Sequence, residues 1–469
     1  MNGTTIGSFG RAILTAVALA LGTLGSLSAG AETLNDALAL SYLNNPALRA
    51  QRAQLRATDE GVPQALSGWR PTVVVSGSLS EEYSNVTPAP PVVSFGAGDS
   101  FAKSVGIAVQ QPLFRGFRTT AETDQADNLV RAGRADLVGT EQQVLTDSVT
   151  AYMNVLRDQA VLELNINNEQ VLRRELEAAQ DRFDVGEVTR TDVAQAESRL
   201  ARAIADRVAA EGNLEISRAD YVQVIGTAPG ALDQPAPYSA LPADLFEVKT
   251  LSGGNNPAVL AAFAREAAAR DAVQLVTGEL LPSLTLDGAY GYSDDPSFST
   301  LNSESATVGA TLTIPIYQAG AVTSRVREAK QLVSQRRMEI ADAKRQSIED
   351  ATQAWEVLVT ARAQVTAFEE EARSTRIALE GVQEESQAGL RTVLDVLDAE
   401  QEYLDARVNL VDARRNEVVA SYALLSTLGN LTALVLQLDV PLYDPTAHYD
   451  DVRGTFWGLG GDPEPIPVE

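Results

Sequence analysis

No cysteine occurs in this chain, and its 469 residues hold one histidine, His448. Without cysteine there are no disulfides and no thiol nucleophile, so packing, strand pairing or oligomerisation must hold the fold. With one histidine, no glycine-rich phosphate loop and no clustered metal ligands, the groups an enzyme needs are missing, and no cofactor or metal is expected. Positive charge is scarce too. Against 63 Asp and Glu stand 37 Lys and Arg, a net charge of −26 that argues against nucleic acid as a partner. Long apolar runs are missing beyond the first residues. Ala12 to Leu24 is apolar, follows Arg11 and precedes the small-x-small pattern Ala29-Gly30-Ala31. Residues 1–31 therefore read as a secretory signal, the apolar stretch being too short for a membrane helix. Glu32 follows in place of a cysteine, so no lipid anchor is expected.

What is present is a duplication. Asn44-Asn45-Pro46-Ala47 returns as Asn255-Asn256-Pro257-Ala258, and Pro71 returns as Pro282, both at an offset of 211. Pro112-Leu113-Phe114 returns as Pro315-Ile316-Tyr317 at an offset of 203, which then persists through Tyr152/Trp355, Gly186/Gly389 and Gly226/Gly429. The motif Gly186-x-x-Thr189-x-x-Asp192-Val193-x-x-Ala196-Glu197 recurs as Gly389-x-x-Thr392-x-x-Asp395-Val396-x-x-Ala399-Glu400. So long a repeat states an architecture. It divides the chain into a first copy at 32–241, a second at 242–440 and an acidic, Pro- and Gly-rich tail at 441–469.

Each copy reads as helix, strand pair, very long helix, turn, second long helix. The first long helix is expected from about Thr119 to Asp184, with Leu145, Val149, Tyr152 and Leu156 on a coiled-coil-like seam. The second is expected from about Ala321 to Gln387, with Ile348, Trp355 and Leu358 on its seam. At 1.5 Å per residue each spans roughly 100 Å. Gly186 and Gly389 can end these helices by taking positive φ, and Thr189 and Thr392 suit N-caps with an acid three positions on. Each copy then ends in a helical hairpin with its tip near 186–192 or 389–395.

The strand pairs, 72–83 with 101–114 and 283–293 with 304–316, alternate apolar with small polar residues over about ten positions. This fits a transmembrane β-strand with one face to lipid and one to a lumen. A half-buried soluble hairpin has the same period, but tyrosines and phenylalanines near the strand ends (Tyr83, Phe114, Tyr290, Tyr292, Tyr317) favour membrane girdles. The two offsets differ by eight, so the first hairpin loop carries eight extra residues. Four strands cannot close a membrane barrel, and an open edge in lipid strands its backbone groups. Several chains must pool their strands, and the pattern leaves dimer and trimer both open.

These features together resemble the TolC family of outer-membrane exit ducts. The marks are Asn45-Pro46 and Asn256-Pro257, Gln111-Pro112-Leu113-Phe114-x-Gly116, and the run from Gly389 to Ala399. The resemblance implies an α+β membrane protein, a homotrimer with a 12-stranded β-barrel in outer-membrane lipid and a 12-helix α-barrel across the periplasm. It implies that Thr191–Gly226 stacks on Pro257–Glu279, and Thr392–Gly429 on Leu34–Ser67. It implies a periplasmic gate of Arg391 with Asp192 on the neighbouring hairpin. Ser386 stands where the family's gate tyrosine is expected, which weakens the second half of that gate. Asp395 and Asp398 match a cation-selective aspartate ring, although an acid in a first helical turn also simply favours the helix dipole. Gly186, Thr189, Gly389, Leu390 and Thr392 form the turns expected to meet a periplasmic adaptor (membrane fusion protein), which links to an inner-membrane ABC or RND pump. The rival class is a secreted or surface coiled-coil structural or adhesin-like protein. It would account for the helices but not for lipid-type strands at matching points in both copies.

Overall fold

The computed structural model describes residues 31–84, 98–294 and 302–461. The expected signal up to residue 30, the tip of the first strand loop and the terminal run from Asp462 lie outside the described residues. The first copy contains α1 (Leu34–Asn44), α2 (Pro46–Asp59), α3 (Gly61–Leu66), a 3-10 turn at Ser67–Trp69, β1 (Thr72–Ser84), β2 (Gly98–Phe114), α4 (Arg118–Asp184) and α5 (Arg190–Ile225). The second contains α6 (Leu245–Asn255), α7 (Pro257–Thr277), a 3-10 turn at Gly278–Leu280, β3 (Ser283–Asp294), β4 (Asn302–Thr313), α8 (Ala321–Gln387) and α9 (Val393–Thr427). A short α10 (Ala447–Arg453) follows in the tail. No helix among the described residues is long and apolar enough to cross a membrane.

The four strands form one antiparallel sheet in the order β1-β2-β3-β4. Its register carries the repeat. Thr72 faces Gln110 in the first hairpin and Ser283 faces Thr313 in the second, and the successive pairs stay in step up to Tyr83 opposite Asp99 and Asp294 opposite Asn302. The eight extra residues therefore all lie between Tyr83 and Asp99. β4 ends at Thr313, short of the expected 316, because Pro315 has no N–H to give to a ladder.

Cross-strand pairing sorts the sheet into two unlike faces. One carries Val73, Val75, Val105, Ile107, Val109, Leu286, Tyr290, Tyr292, Val308 and Leu312, and all of these are exposed. The other carries Ser76, Ser78, Gly106, Ser104, Gly291, Thr307 and Thr311 among polar and small residues, with Val74 the large apolar exception. On that polar face Asp287 accepts hydrogen bonds from Gln110 at 3.2 Å, Thr285 at 3.2 Å and Thr311 at 3.1 Å. From Leu284 to Tyr292 the apolar face runs about 26 Å along the strand, the height of a barrel's lipid band.

The long helices pack on a strict heptad. Val130, Leu137, Val144, Ala151, Asp158, Asn165, Leu172 and Ala179 of α4 are all buried, one every seven residues over most of its length. A 3.5-residue repeat winds packed helices left-handed around one another. Ala196, Ala203 and Ala210 of α5 and Ala406, Ala413 and Ala420 of α9 are buried at the same spacing, so backbones approach closely along the wall. Where the helices meet α1, the wall thickens around Leu38, Tyr42, Leu145, Tyr152, Tyr221 and Leu425. The expected seam of α4 is buried at Leu145, Val149 and Tyr152. On α8, Leu358 is buried, while Ile348 and Trp355 are only half-buried.

The stacking of the split helices differs from expectation. The end of α5 meets α2, not α7: Asn45 Nδ2 donates to the Val224 carbonyl at 2.9 Å and Asn44 lies against Gly226. The end of α9 meets α7, not α2: Asn256 Nδ2 donates to the Thr427 carbonyl at 3.3 Å, and Gly429 abuts the Asn255 carbonyl. Each copy stacks on itself. In both, the same asparagine uses its Oδ1 to cap the following helix, on Ala47 N at 2.9 Å and on Ala258 N at 2.9 Å. A proline at the first helical position fits because its missing N–H had no intrahelical partner. The repeated Asn-Pro is thus a splice between two helices.

Candidate functional site

The two hairpin tips are built alike. At the first, Gly186 takes φ 82°, its N–H donates to the Phe183 carbonyl at 2.9 Å, and Glu187 N–H reaches the Arg182 carbonyl at 2.8 Å. At the second, Gly389 takes φ 77°, with Gly389 N–H on Ser386 O at 3.0 Å and Leu390 N–H on Glu385 O at 2.9 Å. Both are Schellman turns, which satisfy the last carbonyls of a helix through a left-handed residue. Thr189 and Thr392 then cap α5 and α9. The Asp192 carboxylate accepts the Thr189 N–H and hydroxyl, both at 2.8 Å. Asp395 does the same for Thr392, both at 2.9 Å, and its own N–H donates to the Thr392 hydroxyl at 3.2 Å.

These contacts decide the electrostatics of the tips. The backbone N–H and then the hydroxyl of Thr189 hold Asp192 below the usual carboxylate range. Asp395 is lowered by the same two groups of Thr392, with a further contribution from Arg391 nearby. Both aspartates are engaged in helix capping. Asp398 is not. It forms an ion pair with Arg199, and this joins α9 to α5 and so one hairpin to the other.

Arg391 and Asp192 are not brought together within one chain. Arg391 Nε donates to Glu385 Oε2 at 2.8 Å, across its own turn, and this bond chiefly raises the guanidinium's affinity for its proton. Ser386 contributes its backbone carbonyl to the turn, and its side chain is half-buried. Gly186 and Gly389 have nothing within 4 Å of where a Cβ would stand, and Leu390 is 77% exposed. The tips present open backbone and exposed apolar side chains, Leu390 at the second and Val185, 72% exposed, at the first.

Sequence reasoning passed over Glu400, one turn further into α9. It is buried, receives a hydrogen bond from Gln383 of α8 at 2.8 Å, and is raised above the usual range by desolvation and then by Glu175 of α4. Its repeat partner Glu197 is exposed. The shared Ala-Glu ending of the motif was the available signal. Burial sets the two apart, because α9 lies against α4 as well as α8, while one flank of α5 is open.

The profile of the outer membrane efflux protein family matches residues 37–227 and 251–430, the two copies of the repeat. The chain is 35% identical over 454 residues to the outer membrane efflux protein BepC of Brucella suis, covering 96% of this chain and 97% of that one. It is 28% identical over 431 residues to the outer membrane protein TolC of Vibrio cholerae, covering 89% and 94%. Among solved structures, the CmeC outer membrane channel of Campylobacter jejuni superposes with a TM-score of 0.77 at 16% identity, over 90% of this chain and 89% of that one.

Proposed function

Because the chain belongs to the outer membrane efflux protein family, we propose that three copies close into one duct, delivering substrates from an inner-membrane pump across the periplasm and outer membrane. It is an outer-membrane channel protein and not an enzyme. The observation that carries the proposal is the incompleteness of the single chain. The sheet has an uncovered apolar face and two unpaired edges, β1 and β4. The helical wall is open in the same way. α4 is flanked on both sides and buries 21 residues, whereas α8, of equal length, buries eight.

The repeat indicates what covers the open flanks. Within the chain, α4 meets α9 through Asn154 with Arg415 and Arg157 with Asp412. Moved by the 203-residue offset, that contact would pair Val357 and Thr360 of α8 with Gly212 and Ala209 of α5 in a neighbouring copy. Val357 is 56% exposed and Val208, beside Ala209, is 53% exposed. Apolar and small residues replace the polar pairs, as suits a permanent subunit contact. Such a head-to-tail interface closes into a ring when its rotation divides the full circle. Three chains supply twelve strands and twelve helical columns. The adaptor grips the hairpin tips at Gly186, Thr189, Gly389, Leu390 and Thr392, and an ABC or RND pump loads the duct from below. A secreted coiled-coil structural protein would leave the apolar sheet face and the family match without explanation.

Extraction from outer membranes should yield a trimer that survives mild detergent gels and dissociates on boiling. In a planar bilayer it should conduct. A monomeric species without conductance would refute the proposal.

A further inference from the structure

The tail runs past the helical wall as far as it is described. His448 of α10 lies 3.2 Å from Asp59 at the end of α2, and Tyr449 donates to Asp127 of α4 at 2.7 Å. Beyond α10 the chain climbs to the junction of wall and sheet. There Arg70 Nη1 donates to the Thr455 carbonyl at 2.8 Å, and its guanidinium stacks on the Phe456 ring at 4.1 Å. Arg70 directly follows the 3-10 turn at Ser67–Trp69 and stands two residues before β1, so it marks the foot of the sheet. Its level is fixed further by Gln111 of β2, whose side chain donates to the Trp69 carbonyl at 2.9 Å.

Three large apolar side chains are then left in the open. Phe456 is 79% exposed, Trp457 93% and Leu459 fully exposed. Between Thr455 and Gly461 there is no charged residue. Other uncovered apolar groups, Trp69, Phe117, Ile316 and Tyr317, belong to the same junction between sheet and helices. Aromatic rings concentrate where a membrane's acyl chains give way to headgroups, because a ring and its polar edge are both accommodated there. A segment that lacks charge and is held at that level fits a lipid surface better than water.

We infer that Arg70 holds the tail so that Phe456, Trp457 and Leu459 enter the periplasmic leaflet of the outer membrane, as a C-terminal membrane anchor. The segment adds to the hold of the strands. The inference rests on the sheet lying in that membrane. Conductance of the same samples reports the channel separately from the anchor.

The absence of cysteine allows a direct test on the full-length protein in phospholipid vesicles. A nitroxide on Leu459→Cys should relax with dissolved oxygen in preference to a water-soluble nickel chelate, whereas one on the exposed Asp450→Cys of α10 should show the reverse. Adding Arg70→Ala should abolish the oxygen preference at 459. Overturning results are a label at 459 that behaves like the one at 450, and a label shielded from both relaxers, which would mean that a second copy of the chain covers the segment.

Discussion

Asn45 binds Val224 across 179 residues of chain, its Nδ2 donating to that carbonyl at 2.9 Å while its Oδ1 caps α2. One amide thus serves the C-terminus of one helix and the N-terminus of another. Asn45→Asp keeps the acceptor, removes the donor and sets a negative charge against the carbonyl end of α5, where the helix dipole opposes it. Loss of a buried hydrogen bond costs about 1–3 kcal/mol. Asn45→Asp should lower the thermal midpoint followed by circular dichroism. Asn256→Asp should lower it less, because its bond to Thr427 is longer at 3.3 Å.

Gly226 and Gly429 end α5 and α9 at φ 92° and 81°. An alanine in this region costs about 1–2 kcal/mol through its backbone alone. At Gly226 the added Cβ meets Asn44 Cβ at 3.5 Å, an ordinary contact, but at Gly429 it meets the Asn255 carbonyl oxygen at 2.5 Å. Gly226→Ala should therefore show the backbone penalty alone. Gly429→Ala should be clearly worse, at least about 3 kcal/mol once overlap with fixed backbone is added, as read from denaturant titration.

Arg391 is clipped to Glu385 in the single chain, while the gate assignment pairs it with Asp192 of a neighbouring hairpin. Arg391→Ala should raise single-channel conductance, and unchanged conductance would remove it from the gate. The partner is identified by comparing Glu385→Gln with Asp192→Asn. If the pair across hairpins closes the pore, Asp192→Asn should raise conductance and Glu385→Gln should leave it low or lower it.

If Asp395 and Asp398 of three copies form the aspartate ring that the family resemblance implies, trivalent cations should block the channel. Asp395→Asn together with Asp398→Asn should abolish the block. Arg199→Ala frees the Asp398 carboxylate from its ion pair and should tighten it. Block that persists in the double variant places the cation site elsewhere.

Glu400 and the capping aspartates respond to pH in opposite senses. The folded state raises Glu400 above 4.5, so at neutral pH its buried charge works against the fold, and stability is regained as pH falls through its folded pKa. Asp192 and Asp395 are lowered from 3.8, so their contribution is intact above that value and is lost as pH falls through their depressed pKa values. The tips should be most stable at mildly acidic pH. Glu400→Gln should raise stability at pH 7 and flatten the profile above the ordinary carboxylate range, measured by amide hydrogen exchange of residues near 383–400.

Much of this was legible because long-range order here is written locally. α8 was bounded at Ala321 and Gln387 by the glycine that follows it and by the lack of any internal proline. The tips followed from glycine and threonine spacing, which fixes backbone geometry wherever it occurs. The stacking partners were not legible. Two copies with similar lengths fit either exchange equally well, and only the reach of Asn45 to Val224 and of Asn256 to Thr427 separates them. Side-chain partners at the tips were missed for a related reason. Asp398 and Arg199 are far apart in sequence, and Glu385 meets Arg391 only because the turn folds back. The burial of Glu400 was invisible because its twin in the first copy is exposed.

β1 and β4, the two free edges of the sheet, run in opposite directions. A β4 edge can therefore pair antiparallel with the β1 edge of the next chain, and the alternation continues unbroken around a ring of any number of chains. A lone sheet in lipid would leave two rows of backbone groups unsatisfied, each at a cost of several kcal/mol. Insertion cannot come first and association later. The barrel must enter the membrane as one joint event, and its rate should rise more steeply than linearly with the concentration of chains.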